Sequence, residues 1–271
     1  MNRMDGKICV VTGSTQGLGA AIAMRFAKAG AAGIVTLGRN KDKGLAVAEN
    51  IRQETGVPVH FVRANLASVE DCRNVLAETD NVFGKVHVLV NAGALTDRGT
   101  ILDTSPELFD AMFATNVRGP YFLMQEAIRR MIRDDIEGAI CNIGSTSEHA
   151  GQPFISAYCA SKGALATLTR NTAFAVMKNR IRVNQLNVGW MSSDHERELQ
   201  AAEKGDPDWE VKATASLPFG RLVDPEEAAR AVNFIVSDDA GLMTGTVANY
   251  DQTVWGATAG VMPVPDEPMK L

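Results

Sequence analysis

The chain has 271 residues, of which 45% are hydrophobic and 22% are charged. These values are typical of globular proteins and exclude a disordered, collagen-like or coiled-coil chain as the main architecture. The net charge is −5 and no stretch is strongly basic, which argues against binding to nucleic acid or to an anionic membrane.

The cysteines and the N-terminal residues indicate a location. The four cysteines are widely spaced, form no Cys-x-x-Cys pair and lie mostly in apolar runs, as expected of reduced thiols that pack as small hydrophobic groups. No apolar segment precedes a cleavage site, and no window reaches the roughly 18 consecutive apolar residues that a membrane helix needs. We therefore expect a soluble, cytoplasmic protein.

Seven short runs rich in valine and isoleucine alternate with longer stretches of helical periodicity. This alternation predicts a parallel sheet built from repeated strand–helix units. The runs are apolar throughout, as expected of strands that helices cover on both faces. The predicted strands are residues 7–11, 33–37, 57–62, 86–90, 139–143, 181–186 and 245–250.

Three helix signals lie between these strands. The alanine-rich stretch 20–30 ends at Gly30, which we interpret as a helix C-cap. Ser68 precedes an acidic turn and predicts a helix N-cap. Ser105, followed by Pro106 and a glutamate, predicts another helix start.

Two segments depart from the strand–helix rhythm. Residues 189–222 form a long connection after the sixth strand, which is typical of a substrate lid or binding loop. Residues 257–271 contain several prolines and predict an irregular tail. Because no linker rich in proline, glycine or serine divides the chain, we expect residues 1–271 to form one domain.

A glycine-rich turn, TGSTQGLG at residues 12–19, follows the first strand directly. Glycines at a strand-to-helix turn let the backbone approach a pyrophosphate, which the helix N-terminus then stabilises. The turn therefore indicates a dinucleotide, although tight turns also use glycine for steric reasons alone. It lacks a Gly-Lys-Ser/Thr ending, which disfavours a kinase or an ATPase.

Tyr158 and Lys162 lie four residues apart at the start of a predicted helix, so both project from one helix face. A lysine charge beside a phenol lowers the pKa of the phenol from about 10 towards that of a useful general acid or base. Ser145 follows the fifth strand, at the carboxyl edge of the sheet where ligands bind. A Tyr–Lys pair alone is common on helices, and its coincidence with the glycine turn gives it weight.

With these features the chain resembles the short-chain dehydrogenase/reductase family over nearly its whole length. The NAG motif at residues 91–93, Asn116 in ATNVRG, Ser145 in NIGSTS and YCASK at residues 158–162 carry the resemblance together with the glycine turn. The resemblance implies a Rossmann-type, doubly wound sheet of seven parallel strands in three α/β/α layers. It also implies hydride transfer between a nicotinamide and a carbonyl or secondary alcohol.

The resemblance assigns a role to each catalytic residue. Tyr158 would donate or accept the proton, Ser145 would polarise the substrate oxygen, and Asn116 would anchor a water in the proton relay. Lys162 would bind the nicotinamide ribose and lower the pKa of Tyr158. A homotetramer built on helices around residues 105–133 and 156–178 is also implied. The implied cofactor-binding residues are Gly13, Ser14, Gln16, Gly17, Leu18, Gly19, Arg39, Leu66, Asn91, Ala92, Gly93, Tyr158, Lys162, Gly189 and Ser193.

The chain departs from the family pattern at three places. Residues 91–94 read NAGA where the family usually has Asn-Asn-Ala-Gly, so the residue against the adenine side is not defined. Val188 and Gly189 replace the usual Pro-Gly, and Ser193 matches the threonine that contacts the carboxamide. Residues 251–253 read DQT in place of Asp-Gly-Gly.

The second strand is followed by Arg39, at the position where an acid would bind the ribose of NAD. Arg39 is suited to a paired, charge-assisted contact with a 2′-phosphate, with Lys43 nearby. The alternative is that Arg39 stacks on adenine or pairs with a surface carboxylate. We therefore expect NADP, with NAD as the alternative.

The substrate pocket is predicted from polar groups near the reactive residues. These groups favour a polar carbonyl, a sugar or a polyol over a bulky lipid. The alternatives are that His149 only caps a turn and that Trp190 only packs within residues 189–222. No spacing of the His-Glu-x-x-His type is present, so no metal is expected. The predicted substrate contacts are Ser145, Glu148, His149, Gln152 and Trp190, with Thr96, Arg98, Thr146 and Phe154 as further candidates.

Two other classes of protein are less consistent with the sequence. A non-catalytic dinucleotide sensor on the same fold would have little need of Tyr158 and Lys162. A nucleotide-binding methyltransferase also carries a glycine turn, but neither the Tyr-x-x-x-Lys pair nor Asn116. The sequence therefore predicts an NAD(P)-dependent oxidoreductase that acts on CH–OH groups.

Overall fold

A computed structural model describes residues 3–193, 196–198, 200, 205, 208–215, 217–257 and 269. Its strands confirm all seven predicted runs, with each end within about two residues of the prediction. The strands are β1 (Ile8–Val11), β2 (Gly33–Gly38), β3 (Val59–Arg63), β4 (Val88–Asn91), β5 (Ala139–Ser145), β6 (Arg182–Val188) and β7 (Val247–Tyr250).

The strands form one parallel sheet in the order β3-β2-β1-β4-β5-β6-β7. β1 lies between β2 and β4, and Val10 is paired with Val35 on one side and with Leu89 on the other. From β1 the chain builds outward in both directions, which opens a crevice at the carboxyl ends of β1 and β4. The predicted Rossmann-type, doubly wound fold is confirmed.

Helices cover both faces of the sheet, as the continuously buried strands require. Two helices are short. The helix α4 (Pro106–Phe113) follows β4, and α7 (Trp209–Ala215) lies in the connection after β6. One face carries α1 (Gly17–Lys28), α2 (Lys41–Thr55) and α8 (Pro225–Val236), and the other carries α3 (Val69–Phe83), α5 (Gly119–Arg133) and α6 (Ser156–Val176).

Each face of the sheet has its own apolar core. Phe26 of α1 and Ile235 of α8 pack in the first core, beneath β1 and β4. Leu76 of α3 and Met131 of α5 pack in the second core on the opposite face. The three predicted α/β/α layers therefore result from two separate buried surfaces on one sheet.

The helix signals at Ser68 and Ser105 are confirmed, because each side chain accepts a hydrogen bond from the backbone N–H three residues further along. The end of α1 differs from the prediction. Its C-cap is Ala29, and Gly30 follows with a φ of +94°. The left-handed conformation that favours glycine therefore falls one residue beyond the cap.

The described part of the predicted connection at residues 189–222 packs against the carboxyl end of β6. Met191 pairs with Val223 in an isolated parallel bridge. Trp209 is buried, and its ring centre lies 5.9 Å from that of Trp190. This base of the connection is fixed beside the carboxyl edge of the sheet.

The predicted tail at residues 257–271 lies outside the described residues, except for residues 257 and 269. In the part of the chain that the structure describes, no helix is both long enough and apolar enough to span a bilayer.

Candidate active site

A cleft with a volume of about 830 Å³ opens at the carboxyl edge of the sheet. Its walls are the glycine turn, the residues that follow β4 and β5, the start of α6 and the segment after β6. This is the crevice created where the strand order reverses. The volume lies within the range of small-molecule and cofactor sites, roughly 300–1,000 Å³.

The glycines of the turn have two different physical tasks. Gly13 has a φ of +64°, and a Cβ atom there would lie 2.5 Å from the Cα of Gly93. A side chain at Gly19 would collide with the Gly13 carbonyl. By contrast, Gly17 faces open space, where the nearest atom to an added Cβ is the Cβ of Ser193 at 4.0 Å. Gly13 and Gly19 therefore permit close backbone packing, and Gly17 leaves room for a ligand.

The N-terminus of α1 lies at this cleft without a side-chain cap. Its N-cap residue, Gln16, makes no capping hydrogen bond, and the first turn has no acid. The helices α2, α3, α4 and α8 are capped by Asn40, Ser68, Ser105 and Asp224. The uncapped N–H groups and the positive end of α1 fit the pyrophosphate of a dinucleotide.

Two predicted cofactor residues turn away from the cleft. Ser14 Oγ donates to the Val11 carbonyl at 2.7 Å and accepts from the Leu37 N–H at 2.9 Å. Asn91 Nδ2 donates to Asn142 Oδ1 at 2.8 Å. Both side chains are buried and join neighbouring strands, so neither faces the cleft, and contacts of these two residues with the cofactor stay a prediction. The other predicted cofactor residues line the cleft: Gly13, Gln16, Gly17, Leu18, Gly19, Arg39, Leu66, Ala92, Gly93, Tyr158, Lys162, Gly189 and Ser193.

Cations gather where β2 and β3 end. Arg39 is exposed and lines the cleft. Lys43 Nζ donates to Gln16 Oε1 at 3.0 Å, beside the glycine turn. Arg63 Nε donates to the Arg39 carbonyl at 3.3 Å. The sequence analysis missed Arg63, which the parallel register of β3 with Gly38 places at this corner.

Tyr158 and Lys162 stand at the start of α6, beside the end of β5. The Lys162 Nζ atom lies 5.5 Å from the centre of the Tyr158 ring and donates to the Ile143 carbonyl at 2.8 Å. Ser145, the last residue of β5, lines the same wall and lies near enough to the phenol to affect its ionisation. The three predicted reactive side chains therefore meet on one wall of the cleft.

Burial determines how these two groups ionise. It raises the pKa of Tyr158 to about 12 and lowers the pKa of Lys162 to about 8, because a desolvated site favours the neutral form of each group. The neighbouring Ser145 hydroxyl lowers the pKa of Tyr158 by less than burial raises it. The lowering of the Tyr158 pKa by Lys162 stays a prediction.

Asn116 lies in a π-helical turn, Ala114–Arg118, between α4 and α5. Its Oδ1 accepts from the Leu95 N–H at 2.8 Å, and its Nδ2 donates to the Leu95 carbonyl at 2.9 Å and to Ser161 Oγ at 3.1 Å. Ser161 in turn donates to the Tyr158 carbonyl at 2.8 Å. Asn116 thus joins the loop after β4 to the helix that carries Tyr158, and its role towards a water stays a prediction.

Two predicted substrate residues lie outside the cleft. The Glu148 carboxylate accepts from Gln185 Nε2 at 2.9 Å. His149 Nε2 lies 3.3 Å from Asn249 Oδ1, and its ring centre is 4.9 Å from that of Trp255. The short 3₁₀ helix after β5 turns both side chains towards β6 and β7, so their prediction as pocket residues is corrected.

The remaining predicted substrate residues do line the cleft. Arg98 lies with its guanidinium 5.1 Å from the centre of the Phe154 ring. No group of three or more histidine, cysteine, aspartate or glutamate side chains suited to a metal occurs among the described residues. The predicted residues in the cleft are Ser145, Gln152 and Trp190, with Thr96, Arg98, Thr146 and Phe154.

Comparison with known proteins identifies the family. A family profile described as enoyl-(acyl carrier protein) reductase matches residues 13–252. The chain belongs to the short-chain dehydrogenase/reductase family. It is therefore an oxidoreductase, and its glycine turn and Tyr-x-x-x-Lys pair are the family motifs.

Individual relatives of this short-chain dehydrogenase/reductase differ in what they act on. A 3-oxoacyl-(acyl-carrier-protein) reductase from Aquifex aeolicus is 31% identical over 92% of this chain and 97% of its own. A galactitol 2-dehydrogenase from Agrobacterium fabrum is 28% identical over 93% of this chain and 99% of its own. L-sorbose reductase from Gluconobacter frateurii, solved with NADPH and L-sorbose, has a TM-score of 0.89 and 27% identity, covering 95% of this chain and 100% of that one.

Ser147 extends the reactive group in this family member and was missed by the sequence analysis. Ser145 Oγ donates to Ser147 Oγ at 2.9 Å, and Ser147 Oγ donates to Gln152 Oε1 at 2.5 Å. This row of hydrogen bonds orients the Ser145 hydroxyl. The signal in the sequence is the pair of serines two residues apart at the end of β5.

Two further polar residues, Glu196 and Gln200, line the cleft from the segment after β6. Trp190 Nε1 donates to Glu196 Oε1 at 2.9 Å, and Gln200 Nε2 donates to the same oxygen at 2.8 Å. Sequence reasoning assigned the whole segment as a lid without selecting them. Their spacing of four, one helical turn, is the signal that it left unused.

Proposed function

We propose that this protein is an NADP-preferring oxidoreductase that interconverts a carbonyl and a secondary alcohol on a polar substrate, with NAD as the alternative cofactor. The observation that carries the proposal is the single cleft that joins the uncapped start of α1 to Tyr158, Ser145 and Lys162. The start of α1 would provide the dinucleotide site, and the reactive side chains would provide a proton donor next to it.

The residues divide the reaction between them. The bound nicotinamide would supply or accept the hydride. Tyr158, whose pKa burial raises from 10 to about 12, is neutral near pH 7 and gives its proton to the substrate oxygen during reduction. Ser145 positions that oxygen by hydrogen bonding. Lys162, charged below its pKa of about 8, stabilises the phenolate that remains until Tyr158 is protonated again.

The preference for NADP is supported by the charges at the end of β2. Arg39, Lys43 and Arg63 lie together there, and a 2′-phosphate would be held by paired, charge-assisted hydrogen bonds. No acid stands at position 39 to accept hydrogen bonds from an unphosphorylated ribose. The NADPH in the L-sorbose reductase structure is consistent with this preference.

A polyhydroxylated ketone or polyol is supported as the substrate class by polar side chains that line the cleft. Gln152, Ser147 and Glu196 are among them. Relatives named as L-sorbose reductase and galactitol 2-dehydrogenase point to the same class. The relative named as a 3-oxoacyl-(acyl-carrier-protein) reductase defines the competing substrate, a β-ketoacyl thioester.

The cofactor and the substrate are tested in two steps. Titration with NADPH and NADH, followed by protein fluorescence, should give the lower Kd for NADPH. The protein is then assayed with ketoses, polyols, simple ketones and a β-ketoacyl thioester. Turnover of the thioester in preference to every ketose and polyol would contradict the substrate class, and a preference for NADH would contradict the cofactor.

The mechanism is tested by Tyr158→Phe, with Tyr121→Phe as the matched control. Tyr121 is 46% exposed on α5 and removal of its hydroxyl should leave turnover unchanged. Loss of the proton donor at Tyr158 should lower kcat about 10²- to 10⁴-fold without loss of NADPH binding. Unchanged turnover by Tyr158→Phe would eliminate the mechanism.

We also propose the assembly that the family resemblance implies. Exposed apolar side chains on α4, α5 and α6 support subunit contacts in a homotetramer: Phe109, Ile132 and Phe174. Residues 1–271 would then act as one dinucleotide-binding and catalytic domain, with residues 189–222 over the substrate. Light scattering coupled to gel filtration should give four times the chain mass, and a monomer would contradict the assembly.

A further inference from the structure

Gln200 has an unusual position on the wall of the cleft. Its side chain lines the cleft and is only 4% exposed. Among the residues that the structure describes, its amide oxygen, Oε1, finds no hydrogen-bond partner. A buried carbonyl without a donor is unfavourable and is uncommon in native proteins.

The orientation of this amide is fixed by its neighbours. Gln200 Nε2 donates to Glu196 Oε1 at 2.8 Å, and Trp190 Nε1 donates to the same oxygen at 2.9 Å. If the Gln200 amide were reversed, its oxygen would face a carboxylate oxygen and its NH₂ group would lose its acceptor. The unpartnered oxygen is therefore held as a buried acceptor on a side chain that lines the cleft.

The ring of Trp190 anchors this arrangement. Its centre lies 5.9 Å from that of the buried Trp209. The Trp190 carbonyl also accepts from the Val223 N–H at 2.9 Å. The row from Trp190 through Glu196 to Gln200 is thus attached to the body of the protein and does not need a ligand to form.

We infer that Gln200 Oε1 accepts a hydrogen bond from a substrate hydroxyl that is remote from the reacting carbonyl, which makes Gln200 a specificity-determining residue for polyhydroxylated substrates. This inference rests on the proposed function. An acceptor held in this way favours a ligand with a hydrogen-bond donor. A ketose or polyol carries such a donor, a hydroxyl group, on every carbon other than the reacting one. An unsubstituted ketone has no donor and leaves the oxygen unpaired, so the site discriminates against it.

The dinucleotide is the other possible source of a donor, through the N–H of its carboxamide. Ser193 is the residue that lies over Gly17 and the glycine turn, and Gln200 lies further along the same segment, beyond Glu196. This placement favours the substrate as the source. The two sources are separated below by measuring the affinity for each ligand on its own.

The test uses one substitution and a matched control. Gln200→Met removes the acceptor but keeps the length of the side chain. Gln53→Met, on the exposed side of α2, is the control for loss of a glutamine. All variants are compared in NADPH oxidation with L-sorbose and with 2-hexanone, which has the same carbon chain and no hydroxyl groups.

Gln200→Met should lower kcat/KM for L-sorbose about tenfold, mainly through KM, as expected for loss of one hydrogen bond. The value for 2-hexanone should change less than about twofold. Calorimetric titration of the NADPH-saturated protein with galactitol, which NADPH cannot reduce, should show the same tenfold weakening.

Equal losses with L-sorbose and 2-hexanone would overturn the inference, because a merely structural role affects both. A weaker Kd for NADPH with unchanged sugar affinity would overturn it in favour of the cofactor carboxamide. Absence of sugar or polyol binding to the unsubstituted protein would also overturn it. If the unsubstituted protein binds L-sorbose through Gln200 but oxidises NADPH with no carbonyl compound, the proposed function fails and the inference stands.

Discussion

Replacement of Lys162 by methionine tests the electrostatics of the reactive pair. Lys162 is 3% exposed, and burial lowers its pKa from 10.5 to about 8. Between these two values the unfolded chain binds more protons than the folded chain, so the free energy of unfolding increases with pH. The difference between 10.5 and about 8, at about 1.4 kcal/mol for each pH unit, amounts to about 3 kcal/mol.

The sign follows from the direction of the change in pKa. Below about pH 8 the folded protein carries the full penalty of a buried ammonium, and the penalty disappears as the pH rises towards 10.5. Tyr158 acts in the opposite direction, because its pKa is raised to about 12. It lowers the stability only above pH 10, where the unfolded phenol begins to ionise. Burial also raises the pKa of all four cysteines above 9, which lowers the stability within this interval, but equally in both proteins. The difference between the unsubstituted protein and Lys162→Met at pH 7 to 10 therefore isolates Lys162.

Urea unfolding of the unsubstituted protein and of Lys162→Met should be measured across this interval. The variant should be relatively more stable at pH 7, and its advantage should shrink by about 2–3 kcal/mol by pH 10. Loss of the hydrogen bond to the Ile143 carbonyl changes the free energy of unfolding by the same amount at every pH, so it does not alter the pH dependence. Lys178→Met, at an exposed lysine, is the control. Parallel curves for Lys162→Met and the unsubstituted protein would refute the reasoning.

Three further predictions concern the walls of the cleft. Gly13→Ala should destabilise the protein by at least about 2 kcal/mol in urea unfolding, because the residue has a positive φ and its Cβ would meet Gly93; unchanged stability would contradict the backbone contact. Ser147→Ala should lower kcat about tenfold with KM little changed, because Ser145 loses its hydrogen-bond partner; a change in KM alone would contradict this positioning role. Arg39→Ser should raise the Kd for NADPH roughly 10- to 100-fold and leave that for NADH unchanged; equal changes for the two cofactors would contradict a contact with the 2′-phosphate.

The strands were predictable because a parallel sheet covered on both faces needs uninterrupted apolar runs. The ends of the strands were less predictable, for reasons specific to each. β3 begins at Val59 because Pro58 has no N–H to offer the ladder. β6 continues to Val188 through buried polar residues, and Asn187 is accommodated there because it donates to Asn249 of β7 at 3.1 Å. A hydropathy pattern cannot anticipate such pairing across strands.

The candidate site divides in the same way between local and distant causes. The glycine turn was predictable because close backbone packing is a property of a few consecutive residues. Glu148 and His149 were misplaced because partners on β6 and β7 determine the direction in which the chain leaves Ser145. Ser14 lies within the glycine turn, yet its hydroxyl joins β1 to β2. Position within a motif therefore predicts the backbone path better than it predicts the direction of a side chain.

The reactive pair shows why the same burial serves catalysis and opposes stability. Lys162 donates to the Ile143 carbonyl at 2.8 Å, and this contact holds its ammonium close to the phenol although burial lowers the pKa of the lysine. In water the same ammonium would be screened and would stabilise a phenolate far less. The cost of that arrangement is the free energy that Lys162→Met should recover at neutral pH, at the expense of turnover. A variant that gained stability and kept its activity would show that the buried charge contributes nothing to the reaction.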